Sequence, residues 1–288
     1  MSLSMSLARA VLARRPKTLT SIETAQKRVA GREGPAEVSR RLRSTCEVTT
    51  ETVGGFPVIT LTPRQKSSGT ELVYLHGGAY IAAIIPAHWA FLGKIVARTG
   101  ATVTVPLYGL APEHTVDDAY AFVPPVLEAV RRRAAGRPVF LGGDSAGGGL
   151  SVSLALHGQE VDGLVLIAPW LDPSASNPVA PGLVEVDPML DIPGAAWAGL
   201  QWAGSRDIQD PRVSPIFSDP TGLPRTLVLQ GAHDVLLADT LKFCERALEA
   251  GVDLAFHVEP SGFHVYPAAT FTPEARRAVR MIAEFMQG

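Results

Sequence analysis

Val139-Phe140-Leu141-Gly142-Gly143-Asp144-Ser145-Ala146-Gly147-Gly148-Gly149-Leu150 is the stretch on which the fold turns. Val139–Leu141 predicts a short buried strand, and Gly147–His157 predicts a helix. Between them, Gly143 to Gly147 form a G-x-S-x-G turn. A Ser in a tight strand-to-helix turn projects its hydroxyl away from the sheet. The turn is strained, so its neighbours must be nearly free of side chain. Gly142, Gly143, Ala146, Gly147, Gly148 and Gly149 meet that demand. The helix N-terminus adds unpaired N–H groups suited to a developing negative charge. The competing reading is a phosphate-binding loop or a plain turn. No Gly-Lys-Ser/Thr follows and no G-x-G-x-x-G is present, which disfavours a nucleotide site.

Upstream, His76-Gly77-Gly78-Ala79-Tyr80 follows the strand Leu72–Leu75. Consecutive glycines let a backbone aim its amides inward, as acyl transfer requires. Gly77 and Gly78, with Ala146 after the Ser, are the expected oxyanion donors. His76 reads as a brace for that loop.

Downstream, a Ser nucleophile needs a base and an orienting acid. The strand Thr226–Gln230 leads to Asp234, and the strand Leu254–Val258 leads to His264. Ser145, Asp234 and His264 are therefore the expected triad, in the chain order Ser, acid, His. His257 lies inside its strand and reads as a core or edge residue. Asp239 reads as a helix N-cap, and His233 as a turn residue.

The rest of the chain extends the alternation. Glu47–Val53 and Pro57–Thr62 flank Gly54-Gly55, a hairpin signal. Ala101–Val105 and Leu164–Ala168 add strands. His88–Arg98, Val116–Ala135, Leu237–Ala250 and a final helix from Thr272 to about Met286 lie between or after them. This order predicts a mostly parallel sheet with helices on both faces. Residues 169–224 break the pattern and hold ten of the 23 prolines. Within them Ala195–Ala203, with Trp197 and Trp202, reads as a short helix in a packed cover rather than a solvated loop. Two further helical patterns begin near Leu3 and span Ile22–Ala30.

Composition narrows the function class. With 46% apolar residues and 19% charged, the 288-residue chain can bury a large core and is not a disordered one. A net charge of −2 gives no reason to expect nucleic acid. That near-neutrality hides an asymmetry: residues 1–45 carry ten Lys/Arg and three Asp/Glu, the others 16 and 25. The basic arm reads as a solvated helical face, with an acidic partner as the alternative. Cys46 and Cys244 form no metal motif. They fit a reducing compartment, with a single disulfide as the other option. No signal-peptide core and no spanning segment is present, so cytoplasmic residence without stable membrane insertion is expected.

Taken together, these residues resemble the hormone-sensitive-lipase-like family of α/β-hydrolases, in its GDSAG branch. His76 to Ala79 is similar to the family's HGGG motif, and Tyr108-Gly109-Leu110-Ala111-Pro112-Glu113-His114 to its YRLAPEH segment. Gly142 to Gly148 resembles the nucleophile block, and Asp234 and Gly262-Phe263-His264 stand where the acid and His lie. Ala79 replaces a third Gly and Gly109 replaces an Arg, which puts a supporting ion pair there in doubt. The resemblance implies an α/β-hydrolase fold with an eight-stranded, mostly parallel sheet. Residues 46–288 would form the catalytic domain, and 1–45 with about 173–210 a discontinuous helical cap. It implies no cofactor and no metal, small-molecule esters of short to medium acyl chains as substrates, and a homodimer as a common state. Ile81, Trp89, Tyr108, Trp197 and Trp202 are the expected pocket lining, with core packing as the competing reading for Trp89. Amide or N-/O-acetyl deacylation is an alternative on the same triad. A receptor on a hydrolase fold is a further one, which the retained His264 opposes.

Overall fold

Gly54 and Gly55, at φ 55° and 88°, close the first hairpin in two residues. They join β1 (Cys46–Val53) to β2 (Phe56–Pro63), with Val53 paired to Phe56. The chain is seen here in a computed structural model that describes residues 2–288. Met1, part of the expected 1–45 segment, lies outside the described residues. After the hairpin come β3 (Glu71–Leu75), β4 (Thr102–Pro106), β5 (Val139–Asp144), β6 (Gly163–Ile167), β7 (Thr226–His233) and β8 (Leu254–Phe263). All eight form one sheet in the order β1-β2-β4-β3-β5-β6-β7-β8. β1–β2 and β2–β4 pair antiparallel, and every other neighbour pairs parallel. The chain therefore has the α/β-hydrolase fold with the mostly parallel sheet that its sequence implies.

The helices are α1 (Leu3–Ala13), α2 (Ile22–Ala30), α3 (Arg40–Thr45), α4 (Pro86–Thr99), α5 (Val116–Ala134), α6 (Ala146–Leu156), α7 (Ala180–Val184), α8 (Ile192–Ala203), α9 (Leu237–Glu249) and α10 (Pro273–Gln287). Side chains alternate across the sheet with the period of a strand. Val73 and Leu75 of β3 join one core, which α5, α6 and α9 cover. Leu72 and Tyr74 join the other, which α4 and α10 cover. Strands β3 to β6 are buried along their whole length, as covered parallel strands must be.

Strands β7 and β8 run further than their apolar runs predict, to His233 and Phe263. A bulge between Gly231 and His233 sets His233 opposite Phe263. A Cβ on Gly231 would stand 2.6 Å from the Phe263 carbonyl oxygen, so only Gly allows this approach. Asp234 and His264 leave the sheet side by side as a result.

Over the carboxyl ends of the strands, the N-terminal segment meets residues 187–203. The Thr18 N–H donates to the Met189 carbonyl at 2.8 Å, and the Gly194 N–H to the Leu19 carbonyl at 2.8 Å. Helices α2 and α8 pack on each other. Ser2 ties the start of α1 to α10, its N–H and hydroxyl donating to Glu274 at 2.8 and 2.7 Å. Helix α3 instead packs on β1 and α4, so the last part of the 1–45 segment lies against the body.

Candidate active site

Ser145 sits at φ 52°, ψ −121°, between the end of β5 and the first residue of α6. A non-glycine residue rarely adopts this backbone, and the surroundings hold it there. Its N–H donates to the Ile167 carbonyl at 2.9 Å, and its carbonyl accepts from Trp170 at 2.8 Å and Gly149 at 3.0 Å. Gly147 must lack a side chain, because a Cβ would stand 2.0 Å from the Leu75 oxygen. Helix α6 is buried from Ala146 to Leu154, so the turn rests on a rigid base.

His264 Nδ1 donates to Asp234 Oδ2 at 2.9 Å. A carboxylate can only accept here, so the proton sits on Nδ1 and Nε2 keeps its lone pair. Asp234 is fully buried but well bonded: Gln230 Nε2 donates to Oδ2 at 2.8 Å and the Leu236 N–H to Oδ1 at 3.0 Å. Burial works against charge on His264, but Asp234 outweighs it, and the imidazole pKa lies above its ordinary value. Ser145 and His264 line one cavity of about 690 Å³, and both are nearly enclosed. No hydrogen bond joins the two side chains among the described residues in this resting arrangement, a separation common before substrate binds.

The loop after β3 corrects one expected donor. The Gly77 N–H already donates to Asp144 Oδ1 at 3.1 Å, so it is not available to an oxyanion. Gly78 and Ala79 line the cavity, and Ala79 takes a left-handed backbone at φ 55°. Their N–H groups and that of Ala146 have no intramolecular acceptor among the described residues. The unpaired amides on this wall are therefore those of Gly78, Ala79 and Ala146, whereas the expected donors were Gly77, Gly78 and Ala146.

The five expected lining residues lie elsewhere. Ile81 is fully buried in the first core. Trp89 is buried in the second, its Nε1 donating to the Ala36 carbonyl at 2.7 Å. Tyr108 stacks on His76 at 4.7 Å and donates to the His76 carbonyl. Trp202 stacks on Tyr80 at 4.1 Å. In α8 it is Ala195 that faces the cavity. Trp197, two residues on, points about 200° away at 100° per residue and packs on the first core. The apolar wall is built instead from Leu7, Leu12, Leu19, Met189, Val235 and Phe263, among others. No cluster of three His, Cys, Asp or Glu stands where it could hold a metal among the described residues.

Residues 72–268 match the family described as alpha/beta hydrolase fold. An esterase of Acinetobacter venetianus is 33% identical over 234 residues, 77% of this chain and 76% of its own. An acetyl-hydrolase of Streptomyces hygroscopicus is 31% identical over 233 residues, 77% of either chain. Among solved structures, an esterase from the bacterial hormone-sensitive lipase family aligns over 99% of this chain and 98% of its own, with TM-score 0.79 and 25% identity. EstE5 soaked with ethyl alcohol aligns over 100% and 98%, with TM-score 0.83 and 25% identity. The chain belongs to the hormone-sensitive-lipase-like α/β-hydrolases.

Asp144 and Asp187 of this hydrolase escape the sequence reading, and His88, for which core packing was preferred over a place at the pocket, lines the cavity. Asp144 accepts from Tyr74 Oη at 2.7 Å, from the Gly77 N–H and from His88 Nε2 at 3.3 Å. Burial opposes its charge, yet His88 and these bonds hold its carboxyl below the usual range. His88 Nδ1 accepts from the Ile85 N–H at 3.0 Å, which puts the ring proton on Nε2 facing Asp144. Asp187 accepts from Met189 and Leu190 on the cavity wall and from Val235 beside Asp234. Burial, and then the nearby Asp234 charge, push the Asp187 carboxyl up. A capping-type D-x-x-L step at 187–190 was the one signal in the sequence for this residue.

Proposed function

We propose that this hydrolase is a carboxylesterase working through Ser145, His264 and Asp234. His264 Nε2 takes the Ser145 proton as Oγ bonds to the ester carbonyl carbon. The carbonyl π pair moves to oxygen, where the amides of Gly78, Ala79 and Ala146 receive it. Loss of one such donor typically costs about 3 kcal/mol of transition-state stabilisation. The oxyanion then collapses, the C–O bond to the alcohol breaks, and His264 protonates the leaving oxygen. Water, deprotonated by the same His, releases the acid and restores Ser145. Asp234 holds the tautomer and the imidazolium throughout. The observation that carries this reading is a strained Ser145 sharing one cavity wall with a His264 whose Nδ1 is bonded to a buried carboxylate.

The cavity, about 690 Å³ and mostly apolar, suits short to medium acyl chains. In this reading α1, α2 and residues 187–203 act as one cap over it. Two buried thiols without a disulfide support a reducing, cytoplasmic setting, which cell fractionation would check. Ser145→Ala is expected to abolish p-nitrophenyl butyrate hydrolysis with an unchanged melting temperature. Retention of most activity would remove Ser145 from this role. Removal of acetyl groups is the second reading, favoured by the acetyl-hydrolase relative. Matched acetate and butyrate esters, each beside its anilide, separate the two.

A further inference from the structure

Four of the twelve large apolar side chains exposed among the described residues sit together at the mouth of the cavity, and a fifth lies one turn away. Leu7, Val11, Ile85 and Phe271 are 65%, 41%, 49% and 63% exposed, and all four line the cavity that holds Ser145. Leu3, 91% exposed, lies one turn before Leu7 on α1. Leu3, Leu7 and Val11 are spaced i, i+4, i+8 and so form one outward stripe. The opposite side of α1 is already used: Met5 is fully buried and Leu12 packs on the second core. A contiguous apolar rim of this kind on a soluble face marks an interaction site.

Charge says what would cover it. Arg15 and Arg28 line the same cavity, and Arg14 closes the end of α1. The arginine ion pairs among the described residues involve other side chains, so these three guanidinium groups have no carboxylate partner. The carboxylates on the lining are Asp191, whose Oδ1 caps Ile192, and Asp144, which lies among Tyr74, Gly77 and His88. A second copy of the chain fits poorly. A two-fold pairing on this face would set each basic cluster against its own copy and close both mouths.

We propose that the rim docks on an anionic lipid–water interface, with the stripe of α1 laid in the surface and the cavity mouth opening onto it. An apolar stripe flanked by Arg is the composition that binds such a surface. An ester dissolved in the lipid then reaches Ser145 without crossing water. The attachment is peripheral: no helix is long and apolar enough to cross a membrane among the described residues.

The test uses the full chain and vesicles of mixed phosphatidylglycerol and phosphatidylcholine, against phosphatidylcholine alone. Cosedimentation of the Ser145→Ala chain is measured first, so that binding is read apart from the proposed chemistry. Binding to the mixed vesicles is expected, and it should weaken as salt is added. Arg14→Gln should lower the partition about fivefold, the worth of about 1 kcal/mol per cation at such a surface. Leu3→Asp should lower it about tenfold or more. In the otherwise native chain, neither change should alter the rate on soluble p-nitrophenyl butyrate, since neither residue lines the cavity. Failure to bind the mixed vesicles, or binding indifferent to both substitutions, overturns the proposal. So does a doubling of mass in solution that both substitutions abolish, which would assign the face to a second copy.

Discussion

His264 is held between two opposed influences. Burial disfavours the imidazolium, Asp234 at 2.9 Å favours it, and the balance lies above the ordinary histidine value of about 6.5. A general base must be neutral, so kcat/KM on a soluble ester should rise with pH through an inflection above that value. Asp234→Asn should move the inflection down and lower kcat by about 10⁴. An inflection unmoved by the substitution would detach Asp234 from the imidazole. The sign for stability is the reverse of that for activity. A folded pKa above the unfolded one means the pair stabilises the fold below the unfolded value and loses that contribution as pH rises through the folded one. Ser145, Asp234 and His264 could be singled out in the sequence because each follows a strand that its own apolar run announces. Gly77 was misread because its amide is taken by Asp144, 67 positions away. No local pattern records which carboxylate claims which N–H.

At the scale of elements, α8 contributes one small side chain to the cavity wall. It presents Ala195 to the cavity, and Trp202, two turns on along nearly the same side, is buried against Tyr80. Ala195→Phe is therefore expected to shorten the acceptable acyl chain. The ratio of kcat/KM for p-nitrophenyl octanoate over butyrate should fall about tenfold or more, with butyrate changed little. An unaltered ratio would mean that the acyl group lies elsewhere. The helix itself was visible in the sequence, but its facing was not. Apolar residues surround α8, so periodicity could not say which side meets the body. Aromatic residues were the expected lining, yet packing in the two cores recruits them first. The short helices α3 and α7 left no periodic signal at all, at six and five residues.

For the whole molecule, the sheet divides the interior in two, and the cysteines fall on opposite sides. Cys46 lies in the core beneath α4 and α10, Cys244 in the one beneath α9. Both are buried and unpaired. Burial pushes the Cys244 thiol up to about 12 and raises Cys46 as well. Neither should react with a thiol reagent until the chain unfolds, when both should. A reducing agent should leave the melting temperature unchanged; a drop would reveal a bridge. Of the two options the sequence left open, the structure therefore carries the reduced one. The parallel centre and the antiparallel first hairpin were readable from alternation and Gly54-Gly55, but the order of the strands across the sheet was not. The meeting of the N-terminal segment with residues 187–203 was expected from family resemblance alone, because nothing local to either segment points to the other.

The carboxylate of Asp144 bears on how this sequence can change over generations. It joins Tyr74 from β3, Gly77 from the following loop and His88 from α4. Replacing it alone would leave three donors facing one another in buried space. Position 144 is nominally the free letter of G-x-S-x-G, but here it is expected to drift only together with 74 and 88. Variation at those three positions should be inherited as a set, while the surface of the same turn varies one residue at a time.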